Sequence, residues 1–84
     1  MNLIFTENGW DDYLYWQKHD GKKVERINEL LKDISRQPYK GIGKPEPLRG
    51  NLSGWWSRRI DTEHRLVYRV EANQLIVLQC RYHY

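Results

Sequence analysis

Cysteine and long apolar runs are the two features that this sequence most clearly lacks. Cys80 is the single cysteine among 84 residues, which excludes an internal disulfide framework and fits a reducing compartment. No apolar stretch approaches the ~20 residues that cross a membrane, and the first residues lack the basic and then apolar pattern of a signal peptide. We therefore expect a cytoplasmic protein without a membrane segment, and the length predicts one domain over residues 1–84.

Motifs for metals, cofactors and nucleotides are missing as well. The three histidines and the cysteine show no ligand spacing such as H-x-x-x-H or C-x-x-C, and neither a G-x-S-x-G nor a P-loop pattern occurs. We expect no cofactor and no metal site. What the chain does have is a net charge of +3, which suits a nucleic acid or an acidic protein without deciding between them.

The order of the predicted elements indicates an α+β fold. Residues 2–6 are typical of a strand, and two helices follow, the first capped by Thr6 or Asn8 and the second begun by Asp20 and ended by Pro38. Three further strands are predicted, over residues 55–60, 64–70 and 75–82. The order β-α-α-β-β-β predicts an antiparallel sheet with a two-helix hairpin on one face.

The segment between the second helix and the next strand, residues 39–54, is rich in glycine and in basic side chains. A short extra strand is predicted near residues 46–48. Long loops in compact domains are often functional, whereas a plain connector fits the composition equally well. The sequence leaves both interpretations open for the cations of this loop, which are Lys40, Lys44 and Arg49.

Alternation along the last two strands separates a core face from an open face. The predicted core face consists of even-numbered residues: Leu66, Tyr68, Val70, Ile76, Leu78, Cys80 and Tyr82. Because paired residues must share a face of the sheet, this parity predicts three-residue turns or a bulge between the strands.

An open face with three aligned arginines needs a physical reason. Turns at residues 61–63 and 72–74 place His83 beside a row formed by Arg59, Arg65 and Arg81. Like charges opposite each other destabilise a sheet, and a bound anion such as phosphate relieves the repulsion. The alternatives are neutralisation by nearby carboxylates and extension into water. Tyr84 begins on the opposite face and reaches this one only if the strand ends or twists after Tyr82.

The residue types on this face match the needs of RNA cleavage without a metal. Such a reaction needs a base for the 2′-OH, positive charge for the phosphorane and an acid for the leaving 5′-oxygen. Glu46 is a candidate base and His83 a candidate acid, while Tyr84 is suited to stack on a nucleobase or to contact a phosphate. Each also has a plainer interpretation as a solvated surface or terminal side chain. The other candidates are interpreted as structural, namely His19, His64 and Cys80.

Five strings of residues together resemble the YoeB branch of the RelE/ParE toxin superfamily. They are KPEPL at 44–48, NLSG at 51–54, WSRRI at 56–60, EHRLVY at 63–68 and CRYHY at 80–84. The opening WDDYLYW also matches, so the resemblance covers nearly the whole chain; the combination is specific although each string alone is not. One departure is Arg49, where the family pattern carries Lys. The charge is kept, but a planar guanidinium group replaces a compact ammonium group.

The resemblance implies a toxin of a type II toxin–antitoxin pair with a fold similar to that of microbial ribonucleases. It implies a ribosome-dependent endoribonuclease that cleaves mRNA in the ribosomal A site through attack by the 2′-OH and so inhibits translation. In this pattern Glu46 is the general base, His83 is the general acid, Arg65 stabilises the phosphate and Tyr84 holds the substrate. Further contacts to the substrate are expected from the remaining cations of the loop and the row: Lys44, Arg49, Arg59 and Arg81.

Partners are also implied by the resemblance. They are mRNA and the ribosome, a second copy of the chain in a homodimer, and an antitoxin of the YefM/Phd type that folds its tail over the toxin. Operator DNA is expected only through the toxin–antitoxin complex. Two other functions stay open: a non-catalytic binding module like the gyrase-poisoning ParE branch, against which the full Glu46, Arg65, His83 and Tyr84 set argues, and a ribonuclease that does not need the ribosome.

Overall fold

Two helices follow the first strand, and each begins at a side chain that accepts a hydrogen bond from its first turn. The computed structural model describes all 84 residues, with β1 at Asn2–Phe5, α1 at Glu7–His19 and α2 at Gly21–Arg36. Thr6 Oγ1 accepts from the Gly9 amide at 3.0 Å and Asp20 Oδ1 from the Lys22 amide at 3.1 Å, so Thr6 rather than Asn8 is the first cap. The helix prediction is confirmed, and neither helix is long and apolar enough to cross a membrane.

The sheet has five strands in the order β1-β5-β4-β3-β2, with β2 at Glu46–Pro47, β3 at Trp56–Arg59, β4 at Arg65–Glu71 and β5 at Gln74–Gln79. The predicted short strand near residues 46–48 is therefore present. The antiparallel prediction is correct for β2 to β5 but wrong for β1, which pairs parallel to β5. The two strands are joined through both helices and the rest of the sheet, and such long connections permit parallel pairing.

The turn between β3 and β4 has the predicted length, whereas the turn between β4 and β5 does not. Residues 61–63 place Arg59 opposite Arg65, as expected. Ala72 and Asn73 instead form a two-residue turn, with positive φ angles of 50° and 60° that match the type I′ turn of tight hairpins. The shorter turn inverts the parity of β5 near its start.

The core lies between the helices and one face of the sheet. On β5 its members are Leu75 and Val77, so the prediction of Ile76 and Leu78 is wrong because of the two-residue turn. A register shift then puts one extra residue, Leu78, into β5, so that Cys80 returns to the core as predicted. The other core residues are Trp16, Ile27, Leu30, Leu31, Ile34, Ile60, Leu66 and Tyr68.

Arg58 is the charged residue that sequence analysis missed, and its side chain is fully buried. Its guanidinium pairs with Asp33 at 2.6 Å, and its five N–H groups find partners on Asp33, on Tyr68 Oη and on three loop carbonyls, those of Gln37, Lys40 and Ile42. Hydrogen bonds from Gln37, Arg58 and the Ile42 amide hold the pKa of Asp33 well below its usual range. This network fixes the loop that leads from α2 to β2.

Asp61 organises the turn between β3 and β4. Its Oδ1 accepts from the amides of Glu63 and His64 at 2.8 and 2.6 Å, and its Oδ2 pairs with Lys23 at 2.8 Å. Burial opposes ionisation, but these hydrogen bonds and the Lys23 charge outweigh it and lower the pKa of Asp61 to about 2.

A pH-dependent contribution to stability follows from Asp61. A lowered folded-state pKa stabilises the fold above the unfolded pKa of about 3.9, and this stabilisation is lost as pH falls toward the folded pKa. We expect Asp61→Asn to lower the free energy of unfolding at pH 6 by about 1–2 kcal/mol. In urea unfolding, the difference in free energy of unfolding between Asp61→Asn and the wild type should shrink below about pH 4. The exposed control Asp11→Asn should show no such difference. A difference of constant size across this pH range would contradict the assignment.

Candidate active site

The four side chains predicted to be catalytic line one cavity of about 170 Å³. Its lining is Lys44, Glu46, Ser57, Arg59, Arg65, His83 and Tyr84, so two of the predicted substrate-binding cations are present as well. A larger cavity of about 590 Å³ lies along α2 and contains none of the predicted residues. The small cavity is therefore the candidate active site.

Strand register brings the two walls of this cavity together. Glu46 on β2 is the pairing partner of Ser57 on β3, and Arg59 on β3 is the partner of Arg65 on β4. Arg65 is nearly buried, and its guanidinium donates to the carbonyls of Asp61 and His64 at 2.9 and 3.2 Å. These bonds hold the side chain of Arg65 in place before any ligand arrives.

Glu46 is the single acidic side chain of the cavity, which three basic side chains also line. Its side chain is exposed and forms no salt bridge within 4.0 Å. Lys44 approaches from the loop with a positive φ of 52°, and the amide of Arg59 donates to the Gly43 carbonyl at 2.7 Å, which anchors that loop on β3. The electrostatic balance of the cavity favours an anionic ligand.

The last two residues enter the cavity because β5 ends early and the chain then changes direction. Regular pairing stops at Gln79, and Tyr82 has a φ of 64°, in the left-handed region. His83 and Tyr84 thereby both reach the cavity, with the Tyr84 hydroxyl 3.2 Å from Ser57 Oγ. Tyr84 reaches the cavity because the strand ends, although it ends at Gln79 and not after Tyr82 as expected. Ser57 was missed, although alternation along β3 puts it on the same face as Arg59.

Arg81 does not line the cavity, and the predicted row of three arginines does not form. Its guanidinium carbon lies 3.4 Å from the centre of the Tyr15 ring and 4.5 Å from that of Tyr82, so it contacts α1 instead. The prediction failed because β5 has ended before this position and strand alternation no longer applies, while a cation–π contact is available on the helix. Arg49 lines a neighbouring cavity of about 460 Å³, and Glu46 and Tyr84 line both this cavity and the candidate site.

The residues interpreted as structural have structural surroundings. Burial raises the pKa of the Cys80 thiol to about 12, so the group stays protonated and unreactive. His64 is buried against Trp16, and His19 ends α1 beside the Tyr15 ring. No group of three or more His, Cys, Asp or Glu side chains is arranged to hold a metal ion.

A carboxylate, an imidazole and fixed cations that line one cavity are suited to proton transfer at a phosphodiester. The carboxylate can accept a proton, the imidazolium can donate one, and guanidinium groups stabilise charge that develops on phosphate oxygens. The class of protein is indicated by the fold. The toxin–antitoxin complex RelBE2 from Mycobacterium tuberculosis superposes with a TM-score of 0.73 at 25% identity, covering 98% of this chain and 96% of that one. The molecule thus has the α+β fold of the RelE-like toxins.

Closer relatives define the family. Residues 5–84 match the model of the YoeB-like toxin of bacterial type II toxin–antitoxin systems. Toxin YoeB of Escherichia coli K12 is 61% identical over the full length of both chains. A YoeB/ParE toxin structure from Agrobacterium tumefaciens has a TM-score of 0.97 at 52% identity, again over both full chains. This chain belongs to the YoeB family of toxins of type II toxin–antitoxin systems.

Two structures of a Staphylococcus aureus relative record assemblies. One is a heterotetrameric YoeB–YefM toxin–antitoxin complex, with a TM-score of 0.92 and 50% identity over all of this chain and 98% of that one. The other is a YoeB dimer, with a TM-score of 0.94 at the same identity and coverage. Both assemblies are properties of the staphylococcal protein.

Proposed function

We propose that this chain is an endoribonuclease that cuts mRNA in the A site of the ribosome by metal-independent acid–base catalysis and so inhibits translation. The observation that carries the proposal is that Glu46, Arg65, His83 and Tyr84 line a single cavity. They come from three separate parts of the chain, which argues against a chance cluster of surface charges. Membership of the YoeB family supports the dependence on the ribosome.

Each side chain has one role in the proposed reaction. Glu46 removes the proton of the 2′-OH, and the resulting oxygen attacks the adjacent phosphorus. Arg65, with Lys44 and Arg59 nearby, stabilises the charge of the phosphorane. The His83 imidazolium then gives a proton to the 5′-oxygen as the P–O bond breaks, which leaves a 2′,3′-cyclic phosphate and a 5′-hydroxyl.

The remaining roles concern the hold on the RNA. Tyr84 borders both cavities, where its ring is suited to stack on a nucleobase beside the cut. Arg49 lines the neighbouring cavity and is suited to bind a phosphate next to the one that is cut. For Arg81, the contact with Tyr15 removes the geometric reason for a role in substrate binding.

We also propose an antitoxin partner of the YefM/Phd type and a homodimer for this chain. The staphylococcal relative supports both, because it forms a YoeB–YefM complex and a YoeB dimer. That relative is 50% identical to this chain, and the match covers nearly the whole of both chains. Operator DNA enters the proposal only through the toxin–antitoxin complex.

The test is cleavage of one mRNA with and without ribosomes, by the wild type and by His83→Ala. We expect the wild type to cut ribosome-bound mRNA and to leave naked RNA intact, and we expect His83→Ala to cut neither at a comparable rate. Cutting of naked RNA at the ribosomal rate would remove the ribosome from the proposal. No cutting in any arm would favour a non-catalytic module like the ParE branch.

A further inference from the structure

Residues 80–84, which follow β5 and form the tail of the chain, have no regular secondary structure. Three side chains and one backbone amide nevertheless form hydrogen bonds with the backbone of this tail. Asp12 accepts from the Cys80 amide at 3.0 Å, and Trp16 Nε1 donates to the Cys80 carbonyl at 2.8 Å. His64 Nδ1 then accepts from the Tyr82 amide at 2.7 Å, and the Arg65 amide donates to the Tyr82 carbonyl at 3.0 Å. The path of the tail is thus fixed up to Tyr82.

Tyr82 is the residue at which the tail turns toward the cavity. Its φ of 64° is one that L side chains rarely adopt, so the turn costs free energy and persists only where neighbours hold it. Two consecutive residues, His64 just before β4 and Arg65 at its start, hold both polar groups of its backbone. The tail is therefore tied directly to Arg65, one of the cations that line the cavity.

The imidazole of His64 is itself immobilised. Its backbone amide donates to Asp61 Oδ1 at 2.6 Å, and its ring packs edge-on against Trp16 with 4.8 Å between ring centres. Because Nδ1 accepts a hydrogen bond, a neutral ring carries its proton on Nε2. His64 is thus a fixed acceptor that is aimed at the amide of Tyr82.

We propose that His64 is a positioning residue for RNA cleavage: by binding the Tyr82 amide, it sets the turn that places His83 and Tyr84 in the cavity beside Arg65. The effect on activity rests on the proposed function, whereas the effect on the tail rests on geometry alone. His64 lies outside the apolar core cluster, and the tail beyond Tyr82 is exposed. Loss of this hydrogen bond should therefore free the tail without unfolding the domain.

Two substitutions separate the acceptor from the packing. In His64→Asn the side-chain oxygen can take the place of Nδ1, whereas His64→Leu keeps apolar volume but has no acceptor. His19→Leu is the matched control, because His19 ends α1 and forms no hydrogen bond with the tail. Thermal unfolding of each variant checks that the fold is retained.

The first readout needs no RNA. Carboxypeptidase A releases Tyr84 from the purified full chain at a rate that reports how often the tail detaches. We expect His64→Leu to be digested roughly tenfold faster than the wild type, the change expected when one partly buried hydrogen bond is lost. His64→Asn and His19→Leu should stay close to the wild-type rate.

The second readout is cleavage of ribosome-bound mRNA. We expect His64→Leu to lower kcat about tenfold or more and to raise KM by a smaller factor, since the displaced His83 affects the chemical step and the displaced Tyr84 removes one of several contacts that hold the RNA. His64→Asn should recover most of kcat. The proposal would be overturned if His64→Asn and His64→Leu lost equal amounts of kcat. It would also be overturned if His64→Leu kept both the wild-type rate of digestion and the wild-type kcat. If His64→Leu does not fold, His64→Gln, whose acceptor is displaced by one methylene, replaces it under the same criteria.

The two hypotheses fail in different ways. If the wild type cuts no RNA but His64→Leu frees the tail, the proposed function is wrong and the role of His64 in holding the tail stands. If the wild type cuts RNA and the Leu variant holds its tail, the positioning role is wrong and the nuclease stands.

Discussion

Replacing Glu46 by Gln, or His83 by Gln, is expected to lower kcat for cleavage of ribosome-bound mRNA by about 10²–10⁴-fold in each case, the range typical of a general base or acid. Both substitutions keep the size and polarity of the side chain and remove its ability to transfer a proton at neutral pH. KM should change little, because three cations of the cavity remain to bind the phosphate. Single-turnover kinetics on programmed ribosomes measures the chemical step directly.

The double variant sharpens this prediction. If Glu46 and His83 act in one concerted proton transfer, the double variant should lower kcat by a factor far smaller than the product of the two single-variant factors. Glu25→Gln and His19→Gln are matched controls, since both residues lie on the helices away from the cavity and should leave kcat unchanged. A Glu46→Gln variant that keeps the wild-type kcat would remove this residue as the base.

Arg58→Met is expected to be the most destabilising single substitution, with a loss of about 3–5 kcal/mol in the free energy of unfolding. The variant fills a similar volume but leaves Asp33 buried without its cation and deprives three loop carbonyls of their donors. Small domains have only about 5–15 kcal/mol of stability in total. Urea unfolding followed by far-ultraviolet circular dichroism measures the difference.

Arg36→Met is the matched control for this prediction. Arg36 forms a 3.5 Å ion pair with the same Asp33, but its side chain is 79% exposed, whereas that of Arg58 is 0% exposed. Exposed ion pairs contribute roughly 0–1 kcal/mol, so this control should lose little stability. If Arg58→Met lost no more than Arg36→Met, the buried network would not be what holds the loop.

Local patterns were sufficient to predict the helices and the turn between β3 and β4. Thr6, Asp20 and Pro38 act within a few residues of their own position, and hydrophobic periodicity identifies the buried face of α2. On α1 the periodicity was misleading, because Trp10 and Leu14 are exposed and Trp16 is buried instead. The pairing of Arg59 with Arg65 was predictable because the turn of residues 61–63 has a regular length.

Predictions failed where a single residue alters the register. The two-residue turn at Ala72 and Asn73 and the extra residue in β5 each invert the parity, and together they restore it at Cys80. A single alternating pattern therefore cannot describe the whole strand, and the even-numbered pattern that was predicted is correct at Cys80 but wrong at Ile76 and Leu78. Arg81 was misplaced for a related reason, because strand alternation was extended beyond Gln79, where pairing stops.

Buried charge was the other feature that the sequence concealed. Alternation puts Arg58 on the core side of β3, but the partner that neutralises it, Asp33, is far away in the chain and lies on α2. The contributions of His64 and Ser57 to the site are likewise contacts between distant segments. Residue chemistry and strand register made the four predicted catalytic residues candidates, the family resemblance implied their roles, and the structure brings them to one cavity.

The chemistry of the cut ends is the most direct test of the central claim, which is that Glu46 and His83 promote attack by the 2′-OH. Ribosome-bound mRNA is cut by the wild type, and mass spectrometry identifies the new termini. The proposed mechanism predicts an upstream fragment that ends in a 2′,3′-cyclic phosphate or its 3′-phosphate hydrolysis product and a downstream fragment that begins with a 5′-hydroxyl. A 2′-deoxy nucleotide at the cut position should block cleavage. A 3′-hydroxyl and a 5′-phosphate, or unchanged cutting of the 2′-deoxy substrate, would contradict it.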